Sequence, residues 1–99
     1  MKAVTELNEE ETEKQVIERD NILSLIKDVT YEERWEIKEI NVGYAHYNFK
    51  VKPSQKMLDA IGRKPTTNEM IMIVDGGFSH FGASCTESNG IYTGRVNTD

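Results

Sequence analysis

Apolar positions in the first third of the chain step at helical spacing. At 100° per residue, Ile22, Leu23, Leu25, Ile26 and Val29 share an arc of about 160°, with Val16 at its margin and Ile17 pointing away. The pattern predicts a helix over residues 8–29 whose apolar stripe docks on a sheet. Asn8 stands where a side chain can cap the free amides, and Glu11 approximates the far end of a capping box. Glu9, Glu10 and Glu11 sit where the positive end of a helix dipole favours them, and Glu10 and Lys14 form an i,i+4 pair. Residues 1–7 are expected to fray.

The period then shortens to two. Residues 35–40 and 44–52 read as strands, and in the second Ala45, Tyr47, Phe49 and Val51 alternate with Tyr44, His46, Asn48 and Lys50. Between them the phase breaks, because Trp35 and Ile37 share one parity and Ile40 and Val42 the other. A bulge or turn is therefore required near Asn41-Val42-Gly43. Pro53 ends the second strand. Ser54 is placed to cap a short helix over 54–61 that buries Met57, Leu58 and Ile61 and stops at Gly62, and residues 63–68, with Pro65 inside, form a loop.

The last third carries the clearest turn signals. Met70-Ile71-Met72-Ile73-Val74 is an unbroken apolar run, read here as a strand covered on both faces and ended by Asp75-Gly76-Gly77. Asn89-Gly90 predicts a type I′ hairpin, since that turn needs positive φ at both central residues. A two-residue loop there pairs Ser88 with Ile91, Glu87 with Tyr92, Thr86 with Thr93, Cys85 with Gly94, Ser84 with Arg95 and Ala83 with Val96. One face then collects Phe81, Ala83, Cys85, Tyr92, Gly94 and Val96. The other collects Gly82, Ser84, Thr86, Thr93, Arg95 and Asn97. The expected architecture is a single α+β domain over residues 1–99, in the order α-β-β-α-β-β-β. A long N-terminal helix packs on an antiparallel sheet that ends in a three-stranded meander.

Charge is unevenly placed. Residues 1–33 hold ten acids and four bases, net −6, and residues 34–99 seven acids and eight bases, net +1, which sums to the overall −5. That balance argues against general nucleic-acid binding, which needs a basic footprint, and leaves an acidic helix either solvated or facing a basic partner. One cysteine closes no intrachain disulfide and the first residues lack an apolar leader, so a reducing, cytoplasmic setting is expected. No run is long enough to span a membrane.

Little in the sequence points to catalysis. His46, His80 and Cys85 have no metal-ligand spacing, so neither metal nor cofactor is expected. Cys85 falls on the apolar hairpin face, where a thiol is inert. Ser79-His80 and Ser84 lack an orienting carboxylate, and Gly76-Gly77 is followed by no phosphate-loop lysine. Two anion-friendly clusters remain. The first is basic: Lys50, Lys52, Lys56, Arg63 and Lys64 surround the Ser54 helix start. The second is the polar hairpin face, where Ser84, Thr86, Thr93 and Asn97 surround Arg95, with His80 on the same side.

His80-Phe81-Gly82-Ala83 followed, beyond Asn89-Gly90, by Tyr92 and the run Val96-Asn97-Thr98-Asp99 resembles the closing hairpin of small accessory proteins of bacteriophages and other mobile elements, some of which counteract host defences. The resemblance covers about twenty residues and transfers no binding residues. It implies a non-catalytic protein acting by occupancy. Two readings follow: sequestration of an anionic, nucleotide-like small molecule at Arg95, or an acidic, anti-CRISPR-like inhibitor that presents residues 9–20 to a nucleic-acid-binding host protein. A helix longer than its sheet also predicts a homo-oligomer, most simply a dimer, through Val16, Ile17 and Leu23.

Overall fold

The computed structural model describes residues 2–75 and 83–97, with side chains from residue 13 onward in the first stretch. Its elements are α1 (Lys2–Leu25), a 3-10 turn (Glu32–Arg34), β1 (Trp35–Val42), β2 (His46–Pro53), α2 (Gln55–Ile61), α3 (Thr67–Asp75), β3 (Ser84–Ser88) and β4 (Ile91–Asn97). Among the described residues the architecture is α+β, with three α-helices and a four-stranded antiparallel sheet of order β1-β2-β4-β3, α3 lying against β3 and β4. No helix among them is long and apolar enough to cross a membrane.

The main correction concerns Met70 to Val74, which form a helix and not a strand. Thr66 and Glu69 cap it reciprocally: Thr66 Oγ1 accepts from the Glu69 amide at 3.1 Å, and Glu69 Oε1 accepts from the Thr66 amide at 2.8 Å. An unbroken apolar run carries no period, so only its flanks distinguish a helix from a strand. All five residues are buried, as in a helix apolar on every side. Its C-terminal carbonyls are also satisfied. Arg34 Nη1 donates to the Ile73 oxygen at 3.2 Å, and the Tyr31 hydroxyl to the Val74 oxygen at 3.2 Å. Tyr47 donates to Asp75 Oδ1 at 2.5 Å.

With that run helical, the expected three-stranded meander becomes a hairpin, β3–β4, whose second neighbour is β2. The hairpin register matches the expectation from Ser84↔Arg95 to Ser88↔Ile91. Asn89 and Gly90 have φ of 54° and 82°, as a type I′ turn requires. Gly76, Gly77, Phe81 and Gly82 lie outside the described residues, and Ala83 precedes β3 and packs against the core.

The bounds of α1 also differ from the expected 8–29. Residues 2–7 continue the helix, so that Asn8 lies inside it and not at its start, and the chain leaves helical geometry after Leu25. Ile22, Ile26 and Val29 are buried, but α1 lies chiefly against α3 and α2 instead of spanning the sheet. In the first hairpin the phase break is absorbed by a register shift between Trp35 and Ile37, seven residues before the Gly43–Ala45 turn. That shift lets Trp35 and Ile40 both face the helices. Around α2 the expectation holds at the ends, where Ser54 accepts from the Met57 amide and Gly62 closes the helix at φ 84°; Met57 and Ile61 are buried, but Leu58 is only half-buried.

Candidate functional site

Because β2 pairs with both β1 and β4, the side of the sheet away from the helices is one continuous polar surface. Phe49, Val51, Tyr92 and Val96 point into the core. Their alternates on every strand therefore point outward. The registers set these in cross-strand rows: Glu39, Lys50, Thr93 and Thr86 in one, and Asn41, Asn48, Arg95 and Ser84 in the next. All eight are exposed. Ile37↔Lys52 and His46↔Asn97 flank the two rows.

The sheet thus brings together most of what sequence placed in two clusters. Arg95, Ser84, Thr86, Thr93 and Asn97 share this face with Lys50 and Lys52, and His80 lies outside the described residues. The basic cluster itself does not converge. Lys56 Nζ binds Glu33 Oε2 at 2.6 Å, Lys52 lies 3.5 Å from Glu36, Arg63 makes a bidentate pair with Glu69, and Lys64 lies 3.7 Å from Glu87. Ser54 is committed to capping α2 and to the Glu33 carbonyl. Ser54 and Lys56 therefore leave the candidate site. Among the described residues, Lys50 and Arg95 have no carboxylate within ion-pair distance.

The Glu33 carboxyl is held down at about 2, first by its hydrogen bond from Lys56 and then by the amide and hydroxyl of Thr30. These contacts tie the turn before β1 to α2. They leave the open sheet face to be decided by Lys50 and Arg95.

Asn41, Asn48 and Glu39 were missed as site residues. The polar parity of Asn48 and Lys50 is legible, but their place beside Arg95 depends on the β2–β4 pairing, a non-local fact. A groove of about 410 Å³ runs elsewhere, along α2, lined by Gln55, Leu58, Asp59, Gly62, Arg63 and Lys64. Its cations already bridge to Glu69 and Glu87, so it offers less unsatisfied charge than the flat sheet face.

Cys85 is half-buried and turned toward the core, where burial pushes its thiol up to about 11, far from a nucleophile's range. Among the described residues, no three His, Cys, Asp or Glu side chains cluster as metal ligands do. Of the expected oligomer contacts, Leu23 packs against the core and Val16 is half-buried, while Ile17 is 60% exposed. No protein-family model, curated protein or solved structure matches the chain.

Proposed function

We propose that the chain is a non-catalytic binding protein that holds an anionic, nucleotide-like molecule on its open sheet face, with Arg95 and Lys50 as the charge-bearing contacts. The observation that carries this is their placement: two cations in adjacent cross-strand rows, with no ion pair among the described residues, surrounded by Glu39, Asn41, Asn48, Ser84, Thr86 and Thr93. Guanidinium and ammonium donors bind phosphate or carboxylate strongly, and the hydroxyls and amides supply secondary hydrogen bonds. Such a protein acts by occupancy, in keeping with a counter-defence role in the cytoplasm.

Calorimetry against mononucleotides, dinucleotides and cyclic nucleotides tests it. Binding is expected, and Arg95→Ala should weaken it about tenfold or more, since a charge-assisted partner contributes about 1.5–3 kcal/mol. Silence across the panel overturns the reading.

A competing reading has one observation of its own. The acids of α1 crowd its first half, whereas the buried Ile22 lies near its end, with buried Ile26 just beyond it. Presented to a basic groove, that half would block a nucleic-acid-binding host protein, and association would slow steeply with salt. A pull-down from host lysate in which neutralised acids abolish capture would favour this inhibitor. Self-association through α1 is compatible with either reading. Its outward contact is Ile17, joined by Leu25 at 50% exposure, in place of Leu23.

A further inference from the structure

We infer that the ligand of the open sheet face carries two phosphates about one nucleotide apart, held along the line Lys52, Lys50 and Arg95. This rests on the reading of that face as an anion site and specifies its ligand. Lys52 and Lys50 are alternate residues of β2 and both point away from the core, as the burial of Val51 between them requires. Two residues of strand separate them by roughly 7 Å.

Lys50 is paired with Thr93 and Asn48 with Arg95, so Lys50 and Arg95 are diagonal neighbours across β2 and β4. Diagonal neighbours stand about 7–8 Å apart. The three cations therefore form a line with steps of about 7 Å. Phosphates of an extended sugar–phosphate chain recur at roughly the same interval, about twice the stacked rise of 3.4 Å per nucleotide. A single phosphate engages one step of this line, whereas a dinucleotide engages both.

The rest of the face agrees. Asn48 lies beside Arg95 and Thr93 beside Lys50, so each step has a neutral donor next to its cation. Glu39, across from Lys50, and Glu36, 3.5 Å from Lys52, are the acids a second phosphate must displace or tolerate. The Lys52–Glu36 contact is solvent-exposed on both sides, so breaking it costs little.

The test is calorimetry of the intact chain with adenosine monophosphate, 5′-phosphorylated diadenylate and a ten-residue oligoadenylate. Diadenylate should bind at least about tenfold more tightly than the monophosphate, with a steeper loss of affinity as salt rises. Lys50→Ala, Lys52→Ala and Arg95→Ala should each erase most of that advantage. Lys50→Arg should retain it, and Lys56→Ala, off the face, should leave it unchanged.

Oligoadenylate no tighter than diadenylate assigns a small dinucleotide as the source of the phosphates; tighter binding assigns a longer strand, and both keep the spacing. Equal affinity for monophosphate and diadenylate overturns the two-phosphate assignment and leaves the anion site standing. Absence of binding by all three, with thermal melts unchanged among the variants, overturns the site itself.

Discussion

Gly94 shows how much one residue contributes to this sheet. It lies opposite Phe49 on β2 and Cys85 on β3, and a β-carbon there would overlap the Phe49 ring and the Ser84 carbonyl oxygen. The ring occupies the space that any other residue would fill, so Gly94→Ala forces Phe49 from its buried position. Overpacking of that kind costs about 1–3 kcal/mol. Urea titration should place Gly94→Ala in that range, and Phe49→Leu in the same background should recover part of the loss. Cys85, across the strand, gives a second prediction. With its thiol raised to about 11 by burial, a disulfide reagent at pH 8 should label it slowly in the folded protein and promptly in denaturant. Prompt labelling of the folded chain would mean that the inner face of β3 is open.

Among the elements, α3 is the one most dependent on its ends. Thr66 and Glu69 close its start, and Arg34, Tyr31 and Tyr47 tie down its finish from the turn before β1 and from β2. Thr66→Ala removes one capping acceptor and should cost about 1 kcal/mol. Glu69 adds a pH dependence. The Arg63 guanidinium beside it, helped by the Thr66 amide and hydroxyl, holds its carboxyl below the ordinary 4.5. A depressed carboxyl contributes stability that is fully present above its unfolded value and lost as pH falls through its folded one. Glu33, held at about 2, acts in the same direction. The melting temperature should therefore be flat near neutrality and fall from about pH 4.5 toward pH 2. Glu69→Gln should melt lower at pH 7 and lose less on acidification; an acid profile identical to that of the unaltered protein would show that Glu69 makes no such contribution.

At the scale of the whole molecule, α3 lies against β3 and β4, the opposite side of the sheet is exposed among the described residues, and α1 lies against α3 with part of its surface turned outward. Among the described side chains of α1, Ile17 and Leu25 are the large apolar ones left exposed. A homodimer through α1 should appear in light scattering at tens of micromolar, and Ile17→Lys should reduce it to monomer. A dimer that survives the substitution locates the interface elsewhere, and a monomer in the unaltered protein removes the assembly.

Local chemistry made much of this protein legible in its sequence. The type I′ turn at Asn89-Gly90 fixes the register of β3 and β4, because positive φ at both residues and side-chain alternation admit few other pairings. Ser54 and Gly62 bound α2 through caps formed within a few residues. The alternation of β2 separates Phe49 and Val51 from Asn48 and Lys50. Even α3 has a local signal in Thr66-x-x-Glu69, masked by an apolar run whose period is undefined. What only the tertiary structure decided is which strands meet. The pairing of β2 with β4 joins segments separated by two helices, and no short-range propensity encodes it. That pairing turns two separate polar clusters into one face with Lys50 beside Arg95, because a cross-strand neighbour is set by the burial of Phe49, Val51, Tyr92 and Val96 in the common core and not by spacing along the chain.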